Sequence, residues 1–231
     1  MKVNGIDIRK YNAKQLTAEV LPPSLQTNYE LITGAVIPQE FETDIPLGKL
    51  KLCLYFRGKN RNSIIRNMSA LLEHFQKSCI LEVDGYEGKY KAFATSTDYE
   101  KLKVKDRYKL NIEVEGYFYD KEKMYTFDGT TSGTVIRTGS RKTPATIEIY
   151  AKKQISNFVI CGFAEDIKIA TLEAGKTLVI NGTDGTATIN GINAFSAVDL
   201  WEFPVLEREK TVLTFNGTDA VVKVRYAPMW L

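Results

Sequence analysis

Lys49-Leu50-Lys51-Leu52-Cys53-Leu54-Tyr55-Phe56 alternates without a break, with Leu50, Leu52, Leu54 and Phe56 on one face and Lys49, Lys51, Cys53 and Tyr55 on the other. Successive side chains of an extended chain point to opposite sides, so this period of two marks a half-buried antiparallel strand. Lys109 to Phe118 repeats it, with Leu110, Ile112, Val114 and Phe118 inward and Lys109, Asn111, Glu113 and Glu115 outward. Neither stretch is the continuous apolar run that a doubly covered parallel sheet needs. The fold class is therefore mainly β.

One segment between these strands changes period. Ile64, Ile65, Met68, Leu71, Leu72 and Phe75 recur at helical spacing and draw an apolar stripe down one face. Asn62 or Ser63 can cap its start, and the stripe predicts a helix over about 62–77, roughly 24 Å long at 1.5 Å per residue. Met68 and Phe75 belong to a core rather than to a cofactor site. Short strands follow near Ile80–Val83 and Lys89–Thr95, with the turn dipeptide Asp84-Gly85 between them. This first region reads β-β-β-α-β-β-β and ends at the aromatic run Tyr117-Phe118-Tyr119.

Asp128 to Thr143 is rich in Gly, Thr and Ser, with few large apolar residues. The chain is accordingly divided into an N-terminal domain at 1–128, a linker or edge segment at 129–143 and a C-terminal domain at 144–231. Beyond Pro144 no useful helix is legible. Short strands recur about every ten residues: Ile147–Ile149, Asn157–Cys161, Ile167–Ala170, Thr177–Ile180, Thr186–Ile189, Val212–Phe215 and Val221–Tyr226. Asn181-Gly182, Asp184-Gly185, Asn190-Gly191 and Asn216-Gly217 punctuate them as tight turns. Strands so short and so closely spaced predict an antiparallel β-sandwich.

The totals exclude more than they assign. The chain has 231 residues, 44% hydrophobic and 26% charged, with a net charge of +3, too small a balance to imply a nucleic-acid or membrane partner. No 18-residue apolar stretch exists, and Met1-Lys2-Val3-Asn4-Gly5 carries no apolar signal segment. Cys53, Cys79 and Cys161 are odd in number and far apart, which indicates neither a zinc site nor a disulfide framework. They read as reduced, packed thiols of a chain first folded in a reducing cytoplasm.

Catalytic chemistry finds no residue set. His74 is the single histidine and lies in the helix without a partner for a triad or a metal. No nucleophile elbow, P-loop or dinucleotide fingerprint is present; Gly182 and Gly185 are turn residues. Glu165-Asp166 and Glu207-x-Glu209 are the carboxylate pairs to weigh for a glycosidase, with Trp201 near the second; both read as exposed, ordinary acids. Lys89, Lys91, Lys101, Lys103, Lys105 and Arg107 mix with tyrosines, but Asp84, Glu87, Asp98, Glu100 and Asp106 dilute them, so the run reads as a solvated strand face rather than a nucleic-acid site. No catalytic, cofactor-binding or metal residue is assigned, and no cofactor is expected.

The order of motifs in the last third carries further. Thr143-Pro144-Ala145 enters the first sandwich strand. Leu172-x-x-Gly175-x-x-Leu178-x-Ile180-Asn181 and Ala187-x-Ile189-Asn190-Gly191 follow. Trp201-Glu202-Phe203-Pro204-Val205-Leu206, Thr211-Val212-Leu213-Thr214-Phe215 and Val222-x-Val224-x-Tyr226-x-Pro228-x-Trp230-Leu231 close the chain. This resembles the C-terminal domain of the distal tail protein (Dit-type baseplate hub) family of long-tailed siphophages and related prophages. The first half is similar to the same family's ring-forming domain, where one helix lies between strands. Phe118-Tyr119-Asp120 matches an aromatic strand end, although Lys121 stands where Pro is usual. Glu207-Arg208-Glu209-Lys210 replaces the usual Pro-Gly and Asn, which bears on turn geometry.

The resemblance implies a β-barrel-like N-terminal domain with one helix and a jelly-roll or galectin-like C-terminal sandwich. It implies a hexameric ring whose channel passes DNA, stacked between the tail-tube protein and the tail-associated hub or lysin protein. Receptor-binding or side-fibre proteins then attach to the outward C-terminal domains, and the protein resides in the virion at the tail tip. The alternative is a carbohydrate-binding module of a baseplate, with Trp201 and Trp230 as stacking residues; both are expected instead to plug the sandwich edge or an interface.

Overall fold

Gly48–Arg57 forms one unbroken strand in the computed structural model, which describes residues 1–23 and 46–230 and short pieces at 29–30, 33, 36–37 and 39–40. Leu50, Leu52, Leu54 and Phe56 are all buried, as their alternation requires. Arg107–Tyr119 lies antiparallel beside it with Leu52 opposite Ile112 and Leu54 opposite Leu110, so the two apolar faces coincide. The chain divides into two compact units, Met1–Tyr119 and Asp120–Trp230.

The first unit contains β1 (Lys2–Val3), β2 (Ile6–Asp7), a 3-10 turn at Ile8–Tyr11 and β3 (Ala13–Leu21). The short pair β4 (Tyr29–Glu30) and β5 (Gln39–Glu40), then β6 (Gly48–Arg57) and α1 (Arg61–Leu72), come next. It ends with β7 (Cys79–Glu82), β8 (Lys89–Lys101) and β9 (Arg107–Tyr119). The main sheet has the order β2-β1-β7-β8-β9-β6-β3, every pair antiparallel. No strand ladder among the described residues closes it into a barrel. Where a closed barrel would pair strands, the Gln15 side chain bridges instead, donating to the Asp84 carbonyl at 2.9 Å and accepting from the Asp84 amide at 3.0 Å. The barrel-like expectation holds only that far.

The helix is shorter than its apolar stripe. It starts one residue before the expected caps, because Asn60 is extended (φ −157°) and its side chain accepts from the Ser63 amide at 2.8 Å, while the Ser63 hydroxyl accepts from the Asn60 amide. That reciprocal box satisfies two otherwise orphaned donors. After Leu72 the chain tightens into a 3-10 turn at Glu73–Phe75, which still delivers Phe75 to the core with Ile64, Met68 and Leu71. Each such side chain contributes roughly 1.5–3 kcal/mol by leaving water.

In the second unit, β10 (Lys123–Asp128), β11 (Ser132–Ile136), β12 (Thr143–Pro144), β13 (Thr146–Ala151) and β14 (Ile155–Cys161) come first. β15 (Ile167–Leu172), β16 (Thr177–Asn181), β17 (Thr186–Ile189), β18 (Ile192–Asn193) and β19 (Val198–Asp199) follow. β20 (Val205–Leu206), β21 (Lys210–Phe215), β22 (Ala220–Tyr226) and β23 (Met229–Trp230) complete it. One sheet runs β10-β22-β13-β16-β17-β18 and the other β11-β21-β14-β15-β19. Their inner faces share one core, with Ile147, Ile180 and Val224 from the first and Phe158, Ile169 and Leu213 from the second. This is the sandwich read from the sequence.

Two of its strands lie wholly before the expected start of the C-terminal domain at 144. β10, placed at the end of the N-terminal domain, pairs with β22 over its whole length, from Lys123 opposite Tyr226 to Asp128 opposite Val221. β11, inside the segment read as a linker, pairs with β21 from Ser132 to Ile136. Of β11 only Val135 is fully buried, so its sequence carries almost no alternation to detect. The turns divide in the same way. Asn190 and Gly191 both have positive φ (51° and 79°), as a tight two-residue hairpin demands. Asn216 instead holds the neighbouring strand, its side chain accepting from the Val159 amide at 2.9 Å and donating to the Asn157 carbonyl at 2.8 Å.

Candidate functional site

The residues weighed for chemistry are scattered and already engaged. His74 sits in the 3-10 turn after α1, its Nε2 2.7 Å from the Tyr11 hydroxyl, a partner 63 residues away that local sequence could not suggest. Glu165 and Asp166 are exposed at the entry to β15. Glu207 is paired with Lys142 at 3.2 Å, and the Glu209 carbonyl accepts from the Arg137 amide at 2.7 Å. Gly182 and Gly185 sit in the β16–β17 hairpin, where the Gly185 amide donates to the Asn181 carbonyl at 3.0 Å. Among the described residues no group of three His, Cys, Asp or Glu side chains could hold a metal ion.

The three thiols are free. Burial pushes the Cys79 thiol up to about 11, and a hydrogen bond to Asp166 together with burial raises Cys161. A buried neutral thiol favours the folded state below its unfolded value, and that contribution is lost as pH rises from about 9 towards 11. Cys79 is therefore expected to resist iodoacetamide in the folded protein at about pH 8 and to react once urea unfolds it. Mass spectrometry of the alkylated peptides checks this; rapid folded-state labelling of Cys79 would contradict its burial.

What the fold does assemble is an edge. β7 covers only Tyr90 to Ala92 of β8, which lie opposite Cys79 to Leu81. From Phe93 to Lys101 the outer side of β8 has no partner strand among the described residues, and every residue there is exposed. At the other end of the sheet, β3 likewise pairs only with β6 among the described residues. Both edge strands carry an irregularity, at Gln15/Thr17 in β3 and at Ala94/Ser96 in β8, the usual position for a bulge. Alongside the β8 edge runs an apolar groove lined by Ile65, Met68, Leu72, Tyr99, Tyr108 and Leu110. Tyr99 is 58% exposed there. The sequence marks this strand as β but does not disclose that no strand among the described residues covers its outer half.

In the second unit Trp201 departs from the sandwich-edge expectation, which leaves the interface one. Trp201 plugs no sandwich edge; it is 88% exposed in the loop before β20. Its neighbour Phe203 meets Phe195 edge-on, ring centroids 5.8 Å apart. Trp230 is half-exposed, its indole N–H donating to the Asp120 carboxylate at 2.8 Å.

Residues 138–230 match the family described as siphovirus-type tail component, C-terminal domain. The whole fold is similar to the solved SPP1 Dit (gp 19.1) protein, presented as a paradigm of the hub adsorption apparatus in phages infecting Gram-positive hosts. The TM-score is 0.76 at 14% identity, over 99% of this chain and 98% of that one. It is also similar to a chain of the phage P2 baseplate in its activated conformation with Ca, with a TM-score of 0.51 at 12% identity over 95% and 92% of the two chains. No curated relative matches by sequence. The mainly β class with one helix and the likeness to Dit proteins, both read from the sequence, are thus borne out.

Proposed function

We propose that this chain, which has the Dit fold and a siphovirus-type tail-component domain over residues 138–230, is a structural protein of a phage tail baseplate. It builds a ring of about six copies and acts without catalysis. The observation that carries the ring is the pair of edge strands in the first unit. The outer half of β8 has no partner strand among the described residues, and β3 is met on its outer side by the turn after β7, at Gln15 and at the Ala18 carbonyl, which accepts from the Tyr86 hydroxyl. β8-β9-β6-β3 are successive antiparallel neighbours, so β8 and β3 run in opposite directions. A second copy rotated about an axis along the strands offers its β3 antiparallel to the free half of β8. Each such contact is head-to-tail, and repeated rotation closes a ring. Edge pairing also covers backbone donors that an isolated strand leaves as an aggregation hazard.

The remaining assignments extend that reading. The channel passes DNA, one face of the ring stacks on the tail tube and the other on the hub or lysin protein, and the protein resides in the virion. The domains divide as ring closure in the first unit and docking of receptor-binding or side-fibre proteins on the sandwich; exposed Trp201 supports such a contact. That same indole favours the second reading, a carbohydrate-binding module, for which glycan-array binding abolished by Trp201→Ala would decide. Multi-angle light scattering with negative-stain imaging tests the ring: closed particles of about six copies are expected, and a strict monomer at high concentration would count against it.

A further inference from the structure

The small net charge of the chain hides a segregation that only the fold produces. β6 ends at Arg57, the loop to α1 carries Lys59 and α1 begins at Arg61; the turn from β8 to β9 carries Lys103 and Lys105, and β9 begins at Arg107. The two loops meet: the Gly58 amide donates to the Asp106 carbonyl at 3.4 Å, and Arg57 lies directly opposite Arg107 in the β6–β9 ladder. Five of these six cations are exposed and Arg107 is half-buried. None of the six forms an ion pair among the described residues. Their summed charge exceeds the +3 of the whole chain.

Of the acids that dilute this basic run in the sequence, Asp84 and Glu87 are remote from the turn, while Asp98 and Glu100 lie in the last part of β8 and Asp106 in the turn itself. Asp84 and Glu87 precede β8, whose 13 residues extend about 40 Å at ~3.3 Å each. That distance is several screening lengths at physiological salt, roughly 8 Å, so those carboxylates do not neutralise the turn. Glu100 faces Lys109 across the β8–β9 ladder, and Asp106, half-buried in the turn with φ 56°, is the one acid among the basic side chains there. Like charges placed opposite one another in a sheet cost stability. A bound polyanion offsets that cost.

We infer that this loop end is a sequence-independent phosphate-binding surface that takes the backbone of duplex DNA. Half of its cations are lysines, a residue depleted from protein–protein interfaces but used freely on phosphates. The 102–106 turn holds no aromatic ring on which an unpaired base could stack, so a duplex fits better than a single strand. A solvated strand face, expected from the mixed charges of the sequence, describes the middle of β8 but not its end. The inference does not depend on ring formation.

Fluorescence anisotropy with a labelled random duplex of about 20 bp, titrated between about 25 and 200 mM salt, tests it. The Lys103→Glu/Lys105→Glu double variant is expected to weaken binding about tenfold at low salt and to flatten the salt slope by about 2, near one per lost phosphate contact. Lys59→Glu, on the other loop, should reproduce part of that loss. Lys121→Glu/Lys123→Glu changes net charge equally at two exposed positions elsewhere and should alter affinity less than about twofold. Absence of binding at the lowest salt, or equal weakening by both double variants, would overturn the inference. Tighter binding of a polyglutamate peptide than of the duplex would do so as well, by assigning the surface to an acidic protein. Circular dichroism of each variant confirms the fold.

Discussion

Gly116→Ala is expected to destroy the first unit, with a loss of about 3–5 kcal/mol and little soluble protein. Gly116 lies in β9 between Gly48 of β6 and Ala92 of β8, a row of small residues across three strands. The Tyr90 ring lies beside this row, fully buried, its hydroxyl donating to the Gly48 carbonyl at 2.9 Å. A β-carbon on Gly116 would stand 1.8 Å from the Lys91 carbonyl oxygen and 2.8 Å from the Tyr90 ring. The first of these is backbone and cannot swing aside, so the β8–β9 ladder must separate. Ordinary overpacking costs roughly 1–3 kcal/mol, and whole domains are stable by only about 5–15. Gly129→Ala is the control: its φ is 65° but nothing lies within 4 Å of the added carbon, so about 1 kcal/mol of strain is expected. Thermal melts followed by circular dichroism compare the two. A Gly116→Ala melt as mild as the control would refute the packing account.

The second large effect concerns assembly. In an antiparallel strand, neighbouring residues direct their backbone N–H groups to opposite sides. Of Thr97 and Asp98, one therefore donates towards β9 and the other towards the open edge. Proline removes that donor. At the outward position it should abolish ring formation while leaving the monomer's melting temperature nearly unchanged. At the inward position it breaks a ladder bond worth about 1 kcal/mol and adds strain, so the melt should fall. Light scattering and melting curves on the two single variants separate these outcomes. Rings that survive both prolines would mean that β8 is not the joint, even if a ring exists.

The two predictions draw on different levels of information. That Gly116 is a glycine is plain in the sequence, but its reason lies in Tyr90 and Lys91, 26 and 25 positions earlier, brought across by the β8–β9 register. The open edge of β8 is a statement about an absent neighbour, and no local pattern reports on that. Candidate chemistry behaved likewise: His74 looked unpartnered until the fold set Tyr11 against it.

Side-chain alternation and turn chemistry are local, because they follow from the pleat of one strand and the φ preference of one residue. For that reason the mainly β class, the inward faces of Gly48–Arg57 and Arg107–Tyr119, the helix near its true place, the seven principal sandwich strands and the likeness to Dit proteins were all legible in the residues themselves. Whatever depends on pairing between distant segments emerged only in the folded chain. Folding assigned β10 and β11 to the sandwich, left the first sheet short of a closed barrel and put Trp201 in solvent. It also joined Arg57–Arg61 to the 102–106 turn. Each is fixed by which backbone edge finds which partner, and that choice is made by the whole core rather than by any stretch of residues.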